Sequence, residues 1–147
     1  MNPDSKLRKI KPIIGFFDDT TVKLDFDDKS LKIVRHWARK TCKKFKLGGY
    51  RIFRSSDGSY HVVFNRSVSW TENIQIMSWV SLMVEGKQLK NCPLTKYVIM
   101  CGIKTVSCLR IGKKVNKPRP KTVFKFGRQN NEIRNYLKFK KDLRHFL

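Results

Sequence analysis

The fold is decided by residues 22–64, which read VKLDFDDKSLKIVRHWARKTCKKFKLGGYRIFRSSDGSYHVVF. Apolar and polar residues alternate over residues 22–27, and this period of two predicts a half-buried strand. The alternation places the side chains of Asp25 and Asp27 on one exposed face. Side chains at positions i and i+2 of a strand stand roughly 6–7 Å apart, so both carboxylates can reach one divalent ion or a pair of ions. The pattern therefore predicts a metal site.

A helix follows this strand. Apolar residues recur at spacings of three and four over residues 29–46, which predicts an amphipathic helix with a basic polar face that ends at Gly48-Gly49. The alternative to a metal site is that Asp27 or Asp28 caps this helix while Asp25 pairs with a nearby lysine.

A hairpin completes the stretch. Residues 50–54 and 60–64 are strand-like, and the small and polar residues between them have the composition of a hairpin loop. With Tyr60 facing the core, alternation places His61 on the opposite, exposed side. There His61 and Ser59 are candidates for contacting phosphates beside a metal, although a lone histidine on a strand is also commonly structural.

The composition favours nucleic acid as the partner. The 147 residues include 33 Lys+Arg and 11 Asp+Glu, which gives a formal net charge of +22. Such a charge leaves few partners other than nucleic acid, an anionic membrane or an acidic protein. A membrane is disfavoured because no apolar run reaches about 18 residues, and the N-terminus lacks the apolar core of a signal peptide. An intracellular protein is expected.

One run of basic residues is a candidate for contacting the phosphates of a nucleic acid, and the alternative is that it is a solvated loop. It contains no acid and comprises Lys113, Lys114, Lys117, Arg119, Lys121, Lys125 and Arg128. The acids are concentrated elsewhere, since six of the 11 lie in the first 28 residues: Asp4, Asp18, Asp19, Asp25, Asp27 and Asp28.

The four cysteines lie in apolar contexts without a C-x-x-C pair, which indicates buried free thiols in a reducing compartment. A zinc site formed by Cys92, Cys101 and Cys108 is the alternative.

The length predicts one domain, residues 13–147, preceded by a basic arm, residues 1–12. Outside the central stretch, strands are expected at residues 13–17, 97–101, 105–111 and 122–126, and helices at residues 71–86 and 130–147.

The order of these motifs resembles the catalytic core of the archaeo-eukaryotic primase superfamily, which includes small-subunit primases and the primase-polymerases of archaeal plasmids and viruses. Leu24-Asp25-Phe26-Asp27 matches the first motif of that family, and Ser59-Tyr60-His61 matches the second. The resemblance covers about residues 20–65. It implies an α+β, RRM-like core with an antiparallel or mixed sheet of four to six strands and two or three helices.

The resemblance also implies roles for individual residues. Asp25 and Asp27 would hold Mg²⁺ or Mn²⁺, and His61 would join them as a catalytic residue. Ser59 and His61 would contact the phosphates of a nucleoside triphosphate. Arg110 resembles the arginine of the third motif and is a candidate for a phosphate or primer contact.

Two parts of the family pattern are missing. The acid of the third motif has no counterpart at its expected spacing before Arg110, which leaves Asp18, Asp19 and Glu72 as substitutes or a catalytically weakened site. The zinc-binding insertion of the family also has no clear counterpart.

The function implied by the resemblance is template-dependent nucleotidyl transfer in DNA replication. The expected partners are nucleoside triphosphates, single-stranded or primed template DNA, and a helicase or other replication subunit. The alternative is an inactive or weakened primase-fold protein that serves replication as a nucleic-acid-binding accessory. A rolling-circle initiator is disfavoured because the chain has no His-x-His.

Overall fold

The computed structural model describes residues 13–88, 90–114 and 116–144, so the predicted basic arm, residues 1–12, lies outside the described residues. The described chain is an α+β fold with four helices and two antiparallel sheets, which confirms the predicted fold class. In chain order the elements are β1 (Gly15–Asp18), β2 (Thr21–Phe26), α1 (Leu31–Phe45), β3 (Gly49–Ser56), β4 (Ser59–Ser67), α2 (Trp70–Glu85), α3 (Pro93–Lys104), β5 (Ser107–Arg110), β6 (Lys121–Gly127) and α4 (Glu132–Asp142).

The larger sheet has four strands in the order β2-β4-β3-β6, and every neighbouring pair is antiparallel. The β3–β4 hairpin turns at Asp57-Gly58, because Gly58 adopts a φ of 70° that favours glycine. Gly49 is needed where β3 meets the chain after β6, since a Cβ atom there would lie 2.1 Å from the carbonyl oxygen of Arg128.

The smaller sheet pairs β1 with β5. It lies against the free edge of β2, where the Ser107 hydroxyl donates to the carbonyl oxygen of Thr21 at 3.5 Å. None of the described helices combines the length and the hydropathy needed to cross a bilayer.

Each face of the larger sheet packs against a different hydrophobic cluster. On one face, residues such as Leu24, Ile52 and Val62 pack with the buried sides of α1, α2 and α3. On the other face, Phe53 and Val63 join a second cluster that includes residues of α4 and β5. Burial of each such aliphatic or aromatic side chain contributes roughly 1.5–3 kcal/mol.

The prediction that the strand of residues 22–27 is half-buried was wrong for its first part. Thr21, Val22, Lys23 and Leu24 are all 0% exposed. The strand is covered by β1, where Lys23 lies over the Phe16 ring, and by β5, where Ser107 contacts Thr21. The buried ammonium of Lys23 pairs with Asp18, and burial lowers the pKa of Lys23 from its ordinary value.

The strand predicted at residues 97–101 was also wrong, because this segment belongs to α3. Pro93 opens the helix, and Leu94, Val98 and Cys101 follow at spacings of four and three on its buried side. The fold therefore has four helices rather than two or three. The other predicted elements lie near β1, α2, β5, β6 and α4, while residues 145–147 of the last helix prediction lie outside the described residues.

Candidate functional site

Asp25 and His61 face each other across neighbouring strands. They are register partners in the antiparallel β2–β4 ladder, so their side chains lie on the same face of the sheet. Nε2 of His61 lies 3.7 Å from Oδ1 of Asp25. On the other side, His61 pairs with Phe53 of β3, which packs against Tyr136 of α4 at a ring-centroid distance of 5.2 Å. The fold therefore brings together two of the residues that the sequence singled out.

His61 is buried rather than exposed as predicted, with 4% of its surface accessible. Burial, and then the positive charges of Arg110, Lys140 and Lys117, lower the pKa of His61 to about 3. The imidazole is consequently neutral at physiological pH, and its contact with Asp25 is not a salt bridge. Its Nδ1 atom is buried and has no hydrogen-bond partner among the described residues. His61 can therefore offer a hydrogen bond without carrying charge.

The pKa of the Asp25 carboxyl is shifted in the opposite direction. Its side chain is 30% exposed. Burial, reinforced by the neighbouring charge of Asp27, raises the pKa of Asp25 to about 7, although Lys117 and Arg110 act in the other direction. A carboxyl with such a pKa is a recognised mark of functional sites. Near neutral pH the Asp25 carboxyl can therefore exchange its proton for a cation at a small cost in free energy.

The alternative reading, in which Asp27 or Asp28 caps α1 and Asp25 pairs with a lysine, was wrong. The cap is Ser30, whose hydroxyl accepts the backbone N–H of Ile33 at 3.3 Å. Within the residues that the structure describes, Asp25 contacts the imidazole of His61 and forms no ion pair with a lysine.

The loop that carries Asp27 is tied to the β3–β4 turn. The backbone N–H of Lys29 donates to the carbonyl oxygen of Gly58 at 3.1 Å, one residue before Ser59. Ser59 is the first residue of β4 and is buried. The backbone therefore places both predicted motifs at one end of β2 and β4.

Arg110 fixes the loop between β5 and β6. Its guanidinium donates to the carbonyl oxygens of Gly112, of Pro118 at 2.8 Å and of Ser55 at 2.9 Å. Because Arg110 shifts the pKa values of Asp25 and His61, it also lies close enough to act on this site electrostatically. The predicted phosphate contact of Arg110 stays a prediction.

The predicted basic run lies along the β5–β6 loop and the edge strand β6. Its lysines and Arg128 are exposed, and Arg119 is half-buried; the run comprises Lys113, Lys114, Lys117, Arg119, Lys121, Lys125 and Arg128. Lys117 borders the site, since its charge lowers the pKa values of Asp25 and His61.

Sequence reasoning missed Lys140. Its ammonium donates to the carbonyl oxygen of Pro120 at 2.6 Å and lies 5.0 Å from the centroid of the Phe53 ring. It adds a further positive charge near His61. No local signal in the sequence identifies this residue, because its position depends on where α4 packs.

Asp25 and Asp27 are the carboxylates that could hold a divalent ion, and the neutral His61 lies beside Asp25. Substrate phosphates and water commonly complete the shell of Mg²⁺. Among the described residues, no group of three or more His, Cys, Asp or Glu side chains is arranged to hold a metal. Asp18 and Glu72 are engaged elsewhere, with Lys23 and Arg66 respectively.

The cysteines are free thiols, as predicted, but only two are buried. Cys42 and Cys101 are buried, Cys92 is half-buried and Cys108 is exposed. Cys101 and Cys108 line a cleft of about 190 Å³ that also contains Asp25. The zinc alternative has no support in the part of the chain that the structure describes.

Comparisons of the chain with protein-family models, with curated proteins and with solved structures gave no match.

Proposed function

We propose that this chain is a metal-dependent nucleotidyltransferase of the primase-polymerase type that acts in DNA replication. The observation that carries the proposal is the cross-strand pair of Asp25 and His61, one carboxyl with a raised pKa beside a buried, neutral imidazole. The pair is bordered by Asp27 and by the positive charges of Arg110 and Lys117.

The chain topology supports an RRM-like core. Strands and helices follow in the order β2-α1-β3-β4-α2-β5, with α3 added before β5. The four-stranded sheet has the order β2-β4-β3-β6, and β5, which belongs to the two-stranded sheet, lies beside the free edge of β2. With β5 counted as a neighbour of β2, the order resembles the β-α-β-β-α-β arrangement of the split β-α-β folds. The two motifs lie on the adjacent strands β2 and β4.

Asp25 and Asp27 are the residues that would hold Mg²⁺ or Mn²⁺. When bound, the ion would neutralise negative charge on the triphosphate and promote the attack of a primer hydroxyl on the α-phosphate. Asp25 gives up its proton on binding, because only the carboxylate is a ligand.

The other residues of the site would act on the phosphates. Ser59 and the neutral His61 can donate hydrogen bonds to phosphate oxygens, and Lys117 and Arg110 can stabilise the charge that develops as pyrophosphate leaves. Because these positive charges are fixed in place before the reaction, they would stabilise the negative charge that develops in the transition state.

A specific observation favours a second function, that of a nucleic-acid-binding replication accessory with weak or no transfer activity. No third carboxylate joins Asp25 and Asp27 within the described residues. A missing ligand of this kind would reduce the rate more than nucleotide affinity, because the interaction is made mainly in the transition state.

Primer extension and nucleotide binding, measured side by side in Mg²⁺ and in Mn²⁺, distinguish the two functions. We expect binding in both metals and slow extension that is faster in Mn²⁺, which binds incomplete oxygen and nitrogen sites more tightly. Fast extension in Mg²⁺ would show that another acid completes the site, with Asp19 the first to test. Absence of nucleotide binding and extension in both metals, with nucleic-acid affinity retained, would establish the accessory function.

A further inference from the structure

A second groove lies on the face of the sheet opposite to Asp25 and His61. It has a volume of about 530 Å³ and separates the exposed side of α1 from the edge of the sheet at β3 and β6. We call it the α1–β6 groove. It is lined by Lys32, Arg35, His36, Arg39, Tyr50, Phe124 and Phe126. The face is opposite because Tyr50 and Phe124 pack with the cluster under α1, whereas Phe53, beside His61, belongs to the other cluster.

One wall of the groove is a row of cations. Lys32, Arg35 and Arg39 are spaced by three and four residues, so they lie on one side of α1. All three are exposed. Within the residues that the structure describes, none of them forms a salt bridge with a carboxylate, and no acid lines the groove. Positive charge is therefore available to a ligand.

The opposite wall is aromatic. Phe126 stacks on Tyr50 at a centroid distance of 5.4 Å and an interplanar angle of 24°, and 48% of its surface is exposed. The Arg35 guanidinium lies 4.0 Å from the centroid of the Phe124 ring. This contact holds a cation against the aromatic wall. A large exposed ring beside this row of cations is suited to a ligand that carries both flat rings and negative charge.

We propose that the α1–β6 groove binds a segment of single-stranded nucleic acid. Lys32, Arg35 and Arg39 contact its phosphates, and one unpaired base stacks on Phe126. A single strand fits better than a duplex, because bases within a duplex have both ring faces covered by their neighbours. The groove lies on the other face of the sheet, so this binding does not depend on the proposed transfer activity.

The stacking contact is tested with an end-labelled oligothymidylate and a duplex of equal length, by fluorescence anisotropy. Phe126→Ala should weaken binding of the single strand by roughly 5- to 150-fold, the range measured for one base stacked on an aromatic side chain. Duplex binding should change by less than about 2-fold, since no base stacks there. Phe126→Tyr keeps the stacking surface and should bind as the parent protein does.

The phosphate contacts are tested by the salt dependence of the same binding. The triple variant Lys32→Gln, Arg35→Gln, Arg39→Gln should make the slope of log K against log salt shallower by about 2, because each phosphate that a single strand places against a cation contributes about 0.7 to that slope. Lys40→Gln, Lys44→Gln, Lys96→Gln removes the same charge outside the groove and should leave that slope within about 0.5 of the parent value.

The results separate this proposal from general attraction between opposite charges. Equal weakening by the two triple variants, or equal weakening of single-strand and duplex binding by Phe126→Ala, would overturn it. Should Phe126→Ala fail to fold, Phe126→Leu is the substitute, because it keeps apolar bulk on β6 and removes the ring. Unchanged single-strand binding by Phe126→Leu would also overturn the proposal. Metal-dependent nucleotide binding should be unaffected by all groove variants, which distinguishes failure here from failure of the proposed activity.

Discussion

His61 and Asp25 are cross-strand partners whose Nε2 and Oδ1 atoms lie 3.7 Å apart, yet the structure favours the uncharged form of both residues. The pKa of His61 is lowered to about 3, and the pKa of Asp25 is raised to about 7. Each shift means that the charged form is disfavoured by burial. Groups with pKa values perturbed in this way are enriched at functional sites.

Replacing Asp25 by Asn should stabilise the protein above neutral pH. The ordinary pKa of Asp is 3.8, and that of Asp25 in the fold is about 7, so between these values the folded state binds more protons than the unfolded state. Stability from this group is therefore lost as pH rises from about 4 to about 7. Asp25→Asn removes the penalty, with an expected gain of about 1–2 kcal/mol at about pH 8 because Asp25 is partly exposed.

Urea unfolding of the parent and of Asp25→Asn at about pH 5 and about pH 8 measures this gain. Asp57→Asn is the matched control, since Asn-Gly suits a two-residue hairpin turn as well as Asp-Gly does. A variant less stable than the parent at the higher pH would show that the Asp25 carboxylate supports the fold.

Binding of Mn²⁺ with nucleotide should become tighter as pH rises through about 7. Below that pH the ion competes with the proton on Asp25, so apparent affinity should fall up to about tenfold for each pH unit. His61 adds no dependence in this range, because its pKa is about 3. Water proton relaxation by Mn²⁺ follows the binding directly. Equal affinity at about pH 6 and about pH 8 would exclude Asp25 as a ligand.

The basic run should contact nucleic acid through charge. If it contacts four or five phosphates, log K against log salt should have a slope near −3 to −4.5. The variant with Gln at Lys113, Lys117, Lys121 and Lys125 should lower the magnitude of that slope by about 3. A control variant with Gln at Lys40, Lys44, Lys87 and Lys96 has the same net charge. Identical slopes for the two variants would show that these lysines make no specific phosphate contacts.

Arg110 should be required for stability. Its guanidinium donates to the backbone carbonyl oxygens of Ser55, Gly112 and Pro118, and Arg110→Gln would leave them without these donors. The expected loss is about 1–3 kcal/mol in the free energy of unfolding. Arg110→Lys should not restore it, because one ammonium lacks the planar fork that reaches several acceptors. An unfolding midpoint equal to that of Lys121→Gln would contradict this structural role.

The strands and first helix of the central stretch could be predicted because their signals are local. Alternation gave β2 and both strands of the hairpin, and the spacing of apolar residues gave α1. The order of the motifs also indicated that Asp25 and His61 lie near each other. The ladder register then aligns the two residues, with a shift between Thr21 and Lys23 that no local pattern indicates.

What sequence reasoning could not predict depends on packing between distant segments. His61 was expected on an exposed face, but its neighbour Phe53 is covered by Tyr136 and Lys140 of α4. Residues 97–101 were expected to be a strand because a short apolar run fits a buried strand and a buried helix equally well. The groove beside α1 was also not predicted, since β3 and β6 supply its aromatic wall.

The most direct test of the central claim is Mn²⁺-dependent binding of a fluorescent nucleoside triphosphate to the double variant Asp25→Asn, Asp27→Asn. The control is Asp57→Asn, Asp142→Asn, which removes the same charge away from the pair, and circular dichroism checks that both variants fold. We predict that the first variant retains the fold and loses metal-dependent nucleotide binding, while the control binds as the parent does. Nucleotide binding by the first variant at the parent's affinity would contradict the claim that Asp25 and Asp27 form the site.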